Sequence, residues 1–274
     1  MRILFMGTAE LACPCLEALA SRNVVGVITQ PDRPKGRSLH LTPPPVKITA
    51  TKLGLPVAQP VKVRESVTEI AAYRPDLIVV VAYGQILPQA LLDIPPLGCI
   101  NVHTSLLPRW RGASPIQSAI LAGDQQTGVT TMYIDAQLDH GDIILQRPEP
   151  IHPTDTSATL HDRLAQLGAH VLVETIELIA AGTPPRRRQD ETLVTHARKF
   201  TKDDGRIDWT KSPAAIDRQV RAFNPWPGAF TDRDGTFLKV WRVALVNDTV
   251  ELVEVQPAGG KRMSYEAYLR GRRT

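Results

Sequence analysis

Short, uninterrupted apolar runs mark the first hundred positions. Arg2-Ile-Leu-Phe-Met6 ends at Gly7, Val24-Val25-Gly26-Val27-Ile28 follows Asn23, and Leu77-Ile-Val-Val-Val-Ala82 follows a helix-like stretch near 64–73. Leu11, Cys15, Leu16 and Leu19 recur at helical spacing between the first two runs, and Cys99-Ile-Asn-Val-His103 comes after Pro95 and Pro96. Strands without polar alternation are covered on both faces, and strands separated by helices pair in parallel. The pattern therefore predicts an α/β fold built on an open, twisted, mainly parallel sheet with helices on both faces. Ligands of such sheets bind beyond the carboxyl ends of the strands.

Further along, Val129–Ile134 and Asp142–Gln146 read as two strands closing on the turn Leu138-Asp-His-Gly141. A long helix is expected from Ser157, with Leu160, Leu164, Leu167, Val171 and Leu178 on one face, ending before Gly182. The texture changes at Arg206. Ile207-Asp-Trp209 leads to a helix over 213–222, Asn224-Pro-Trp-Pro-Gly228 breaks the chain, and strand-like runs cover Phe237–Val246 and Thr249–Gln256. This places a domain boundary near 205, dividing the chain into 1–205 and a small second domain, 206–274.

Composition narrows the class. With 43% hydrophobic and 22% charged residues in 274, the chain is an ordinary globular protein and not a disordered one. It has no apolar run of about 18 residues and no signal-peptide pattern at its start, so the expectation is a cytoplasmic protein without a membrane span. The three cysteines, Cys13, Cys15 and Cys99, lack the spacing of a redox or zinc motif and are expected to be plain packed residues. The net charge of +4 is unevenly placed: 1–205 hold 20 basic and 20 acidic residues, whereas 206–274 hold 12 and 8. A neutral body with a basic C-terminal part points to an anionic partner.

The densest polar constellation is Asn101-Val-His103 with the loop that follows it. Residues two apart on a strand face the same side, so Asn101 and His103 project together near a carboxyl edge. An amide beside an imidazole supplies a fixed donor and a group that titrates near neutrality, which suits acyl transfer through an oxyanion. Asp139, in the turn after Ile134, is the carboxylate best placed to join them. Each has a structural alternative: a satisfied histidine, a strand-end cap and a turn aspartate. A metal site is disfavoured, because His103, His140, Asp139 and Asp142 match no zinc motif. Ser105 and Cys99 lack the setting of an activated nucleophile. The single Gly7 does not make a dinucleotide fingerprint.

These residues carry a resemblance. Gly98–Ile116, with Thr29-Gln-Pro-Asp-Arg-Pro-Lys-Gly-Arg37, Leu138-Asp-His-Gly-Asp142, Phe223-Asn-Pro-Trp-Pro-Gly228 and Gln256-Pro-Ala-Gly259, resembles the methionyl-tRNA formyltransferase family over nearly the whole chain. The resemblance implies a formyltransferase or Rossmann-like catalytic domain, and transfer of a formyl group from 10-formyltetrahydrofolate to the α-amine of initiator methionyl-tRNA. It makes Asn101, His103 and Asp139 the catalytic trio. It maps the folate site onto Tyr83, Gly84, Ile86, Leu87, Ser105, Leu106, Leu107, Pro108 and Ile134, with no metal. It also assigns Arg33, Lys35 and Arg37 to the tRNA acceptor stem and implies a monomer. Two departures accompany it: Arg37-Ser-Leu-His-Leu41 carries less charge than the family's loop, and the C-terminal domain is an OB-like barrel shortened to two or three strands. Lys239, Arg242, Lys261, Arg262, Arg270, Arg272 and Arg273 keep that remnant basic. The competing expectations are an N-formyltransferase acting on a nucleotide-linked amino sugar, a 10-formyltetrahydrofolate hydrolase, and a non-catalytic tRNA- or folate-binding protein.

Overall fold

A computed structural model describes residues 1–35, 40–233 and 235–272. Seven strands form the central sheet: β1 (Ile3–Gly7), β2 (Val24–Ile28), β3 (Val57–Ala58), β4 (Leu77–Val81), β5 (Cys99–His103), β6 (Gln126–Tyr133) and β7 (Ile143–Pro150). Their order across the sheet is β7-β6-β5-β4-β1-β2-β3. β1 pairs in parallel with β2 and β4, β2 with β3, and β4 with β5, whereas β6 runs antiparallel to β5. Every residue of β1 and β4 is buried, as the unbroken apolar runs predict. The chain winds outward from β1 in both directions, so the strand order reverses between β1 and β4, which is where open α/β sheets leave a crevice.

Loops at that crevice are tied together by side chains. Thr8 Oγ1 donates to the Tyr83 carbonyl at 2.8 Å, and Gln30 Nε2 donates to the same oxygen at 2.9 Å. Gly84 has φ +84°, and a Cβ there would lie 2.6 Å from Gln30 Nε2. The left-handed backbone favours glycine, and a side chain there would also displace the Gln30 amide.

The long helix covers Ser157–Ala180. Leu160, Leu164 and Val171 are buried as expected, but Leu167 and Leu178 are only partly so. The stripe instead takes in Leu172, Ile176 and Ile179. Gly168 allows a close approach in mid-helix, since a Cβ there would sit 3.3 Å from Val102 of β5. All three cysteines are free: Cys15 and Cys99 are buried, and Cys13 is partly so. Burial pushes the thiols of Cys15 and Cys99 up to about 12, which leaves them unreactive.

The chain divides into two compact units. One comprises Met1–Arg111, Gly128–Glu149 and Asp162–Thr195; the other comprises Gly112–Thr127, Pro150–His161 and His196–Thr274. The C-terminal sheet of the second unit has four antiparallel strands, β8 (Ala229–Arg233), β9 (Thr236–Val246), β10 (Thr249–Pro257) and β11 (Met263–Ser264), adjacent in that order. This corrects the expected two or three strands. The sequence signal missed β8 because Ala229-Phe-Thr-Asp-Arg233 is short and polar, and β11 because it has only two residues. The helix Pro213–Ala222, capped by Ser212 Oγ, lays Ile216 and Val220 against Leu238, Val240, Leu252 and Val255 to make this unit's core. No described helix is long and apolar enough to cross a membrane.

Candidate active site

The residues expected to carry chemistry meet on one face of β5. Asn101 and His103 alternate with buried Val102, and Asp139 lies beside both. Asn101 Nδ2 donates to Asp139 Oδ1 at 3.5 Å, and His103 Nδ1 stands 3.7 Å from Asp139 Oδ2. The route to this geometry differs from a hairpin delivering Asp139 at the strand end. β6 is antiparallel to β5 with Tyr133 opposite Ile100, so the loop after it starts at the far end of β5 from His103. It must fold back along the sheet face to bring Asp139 to Asn101 and His103. Asp139 takes φ +50°, a left-handed conformation that an aspartate tolerates better than most residues.

His103 is held from its other nitrogen. Its Nε2 lies 2.9 Å from the Trp110 carbonyl, which can only accept, so Nε2 carries a hydrogen and donates it. Nδ1 is thereby the nitrogen that faces Asp139. At 3.7 Å the two are not hydrogen-bonded to each other.

The loop after β5 is anchored through Thr130, which is fully buried. Its Oγ1 donates to the Ser105 carbonyl at 2.6 Å and accepts from Leu107 N at 3.1 Å and Gln146 Nε2 at 3.0 Å. Gln146 Nε2 also donates to the Leu107 carbonyl at 2.8 Å. Thr130→Val keeps the shape but strands these partners in a buried place. The expected cost is about 1–3 kcal/mol, read as a lower midpoint in urea unfolding with an unchanged slope.

The residues assigned to folate fall into three environments. Tyr83 is buried in a core cluster with Leu92 and Cys99, and burial pushes its hydroxyl up to about 12. Leu87 and Ile134 pack against the same cluster. Ile86 and Gly84 are exposed, Ile86 at 89%, and Leu138 of the 134–139 loop is 68% exposed. Ser105 Oγ donates to the Arg109 carbonyl at 2.6 Å, Leu107 is buried with Met132 and Ile143, and Leu106 and Pro108 are partly buried. A cavity of about 530 Å³ lies against Leu92, Cys99, Tyr133, Ile134, Asp135 and Ala136. It lies at the amino end of β5, and none of Asn101, His103 and Asp139 lines it.

Arg33, assigned to the acceptor stem, donates to Gln30 Oε1 at 2.7 Å and borders a second cavity, of about 350 Å³, with Thr8, Pro34 and Pro44. Lys35 ends the short strand Arg33–Lys35; its side chain, and Arg37 altogether, lie outside the described residues. Of the basic C-terminal residues, Arg262 is spent on Glu254 and Arg270 on Glu266. Lys239, Arg242 and Lys261 make no ion pair among the described residues, and Arg273 lies outside them.

One group escaped the sequence reading. Gln189, Glu191 and Arg111 converge on the turn that carries Asp139; Arg111 lies within the Gly98–Ile116 block but was given no role, and no motif marks Gln189 or Glu191. A glutamine after three arginines is legible only once the segment is seen to return to the sheet, where Arg187 exchanges backbone bonds with Ile143 at 2.8 and 3.0 Å.

Residues 1–176 match the family model described as formyl transferase, and residues 199–251 match formyl transferase, C-terminal domain. The chain is 53% identical over 263 residues to methionyl-tRNA formyltransferase of Geobacter sulfurreducens, covering 94% of this chain and 83% of that protein. It is 50% identical over 287 residues to the protein of the same name from Geotalea uraniireducens, covering 100% and 92%. Among solved structures it resembles a likely sugar N-formyltransferase from Mycobacterium tuberculosis, with TM-score 0.66, 26% identity, and coverage of 85% of this chain and 92% of that one.

Proposed function

The chain belongs to the formyl transferase family, among its methionyl-tRNA formyltransferases, and on that premise we propose that it moves a formyl group from 10-formyltetrahydrofolate to the α-amine of initiator methionyl-tRNA. The observation that carries the chemistry is the convergence of Asn101, His103 and Asp139 on one strand face, with Asp139 within 3.7 Å of both partners. The amine lone pair attacks the formyl carbon, and the carbonyl π pair moves onto oxygen. Asn101 Nδ2–H and, when the ring is protonated, His103 Nδ1–H are the donors for that oxyanion. Asp139 takes the proton that the amine sheds, directly or through water. The oxyanion then reforms its carbonyl, the bond to folate N10 breaks, and N10 receives a proton, leaving N-formylmethionyl-tRNA and tetrahydrofolate. No covalent bond to the protein is needed, which agrees with the absence of an activated Ser105 or Cys99.

The donor site fits a flat pterin. Ile86 and Leu138 offer exposed apolar surface on two loops. Tyr83, Gly84, Leu87, Ser105, Leu106, Leu107 and Pro108 shape and hold these loops in this reading. Residues 1–205 carry the chemistry, and 206–274 add a basic surface for the tRNA backbone. The reaction belongs to translation initiation in the cytoplasm, with the chain acting as a monomer.

The test supplies 10-formyltetrahydrofolate with methionyl-tRNA, with nucleotide-linked amino sugars, or with no acceptor, and follows folate release and formylated product. Formyl-methionyl-tRNA is expected. Product only with the amino sugar, or folate release without any acceptor, overturns the reading. Electrostatic docking adds a second expectation. If Lys239, Arg242 and Lys261 each neutralise one phosphate, the log–log salt slope is about −2.7, and tRNA affinity falls about 40-fold between roughly 50 and 200 mM salt. An affinity that stays flat across that range removes the basic surface from the account.

A further inference from the structure

The turn that bears Asp139 is fastened from outside by a chain of polar contacts that the reaction itself does not use. Gln189 Nε2 donates to two carbonyls of this turn, Asp139 O and Gly141 O, both at 2.9 Å. Its Oε1 accepts from Arg111 Nε at 3.0 Å, so the amide cannot rotate without losing all three bonds. Arg111, 5% exposed, is in turn fixed by Glu191, with Nη2 to Oε1 at 2.7 Å and Nη1 to Oε2 at 3.2 Å. The guanidinium holds Glu191 below the usual carboxylate range. Glu191 Oε1 also stands 3.5 Å from His140 Nε2, and His140 Nδ1 meets Asp135 Oδ2 at 2.6 Å. Both ends of the turn are thus tied to the 189–191 segment.

This arrangement answers a specific difficulty. Asp139 sits in a left-handed conformation on a loop that has doubled back across the sheet, and its side-chain contacts to Asn101 and His103 are long. Contacts of 3.5 and 3.7 Å contribute little to fixing a loop. Two 2.9 Å hydrogen bonds from a single locked amide to the backbone on either side of His140 are stronger and restrain the backbone that carries the carboxylate. Displacement of a reacting group by about 1 Å can cost about 10²-fold in rate.

We propose that Gln189 is a positioning residue for formyl transfer, clamping the Asp139 turn against Asn101 and His103 through an orientation set by Arg111 and Glu191. The proposal rests on the function given above. It requires that Gln189 act only through the Asp139 carboxylate, and a double-mutant cycle separates that from a general structural role.

The experiment compares full-length wild type, Q189L, Q189E, D139N and Q189L/D139N in formylation of methionyl-tRNA at saturating donor. Q189L removes all three bonds. Q189E keeps the acceptor for Arg111 but has no hydrogen for the two carbonyls. Each is expected to lower kcat about 10- to 100-fold with little change in KM for methionyl-tRNA. In the D139N background, Q189L is expected to cost less than about threefold, because the carboxylate it positions is gone. An equal loss in both backgrounds, or wild-type kcat in Q189E, overturns the clamp. A crystal structure of Q189L, or of Q189E should Q189L not fold, tests it without turnover: the His103 Nδ1 to Asp139 Oδ2 separation should widen from 3.7 Å. An unchanged separation overturns the proposal, whereas a wild-type chain that formylates nothing defeats the functional reading instead.

Discussion

His103→Ala is expected to lower turnover of methionyl-tRNA formylation by about 10²- to 10³-fold while the protein stays folded. The magnitude follows from what the ring does. In the proposed mechanism it donates to the oxyanion while Asp139 takes the amine's proton, and both roles act in the transition state more than in substrate binding. KM for either substrate should therefore move little. His103 is nearly buried, and its loss leaves the Trp110 carbonyl without its 2.9 Å donor, so a modest fall in the unfolding midpoint accompanies the kinetic effect. Asp139→Asn separates the two roles: it keeps the shape and removes the acceptor for the proton, and a comparable fall in kcat is expected. Steady-state kinetics on purified variants, with circular dichroism to confirm folding, checks both. Turnover within about twofold of wild type in His103→Ala would remove the ring from the chemistry.

The second large effect is expected at a residue with no side chain. A Cβ on Gly141 would lie 1.9 Å from the Tyr133 carbonyl oxygen and 2.8 Å from its carbon. Both atoms belong to the backbone at the base of the turn, where Tyr133 N donates to the Asp142 carbonyl at 2.9 Å. Nothing there can rotate away, so Gly141→Ala must push the turn off the sheet or open its closing bond. Overpacking of this kind costs about 1–3 kcal/mol. The functional consequence is larger than the loss of stability, because Asp139 lies two residues upstream and the Gly141 carbonyl is one of the two gripped by Gln189. Turnover should fall about 10²-fold, with a lower thermal midpoint. A Gly141→Ala protein with wild-type kinetics would show that the turn tolerates displacement and that Asp139 does not need the position described.

Much of this site was readable along the chain, and the reason lies in the period of a strand. Asn101 and His103 are two apart, so any strand through Cys99–His103 presents them together whatever the rest of the fold does. The unbroken apolar runs at 3–6 and 77–82 likewise specify buried parallel strands, because no half-exposed strand would be apolar at every position. Asp139 was legible as a turn aspartate near a strand end, but not by the path it takes. That path depends on β6 pairing antiparallel to β5 with Tyr133 opposite Ile100, a register that no local pattern encodes.

The C-terminal sheet shows the same division. β9 and β10 announce themselves through long runs of β-branched and apolar residues, whereas β8 and β11 are short and acquire strand character by pairing with those neighbours. Helix Tyr265–Gly271 buries none of its residues fully and was invisible for want of an apolar stripe.

Local chemistry therefore determined which residues could face one another along a single element: the sheet class, the Asn-x-His pair, and the apolar stripe of the long helix, since periodicity of side chains is a property of the chain itself. Tertiary structure alone decided which distant segments those residues meet. Gln189 lies 50 residues from Asp139, and its amide becomes a clamp only because Arg187 zips onto Ile143 and Arg111 is buried beside it. The specificity of such a contact resides in the pairing of two segments in space, and neither segment carries a record of the other.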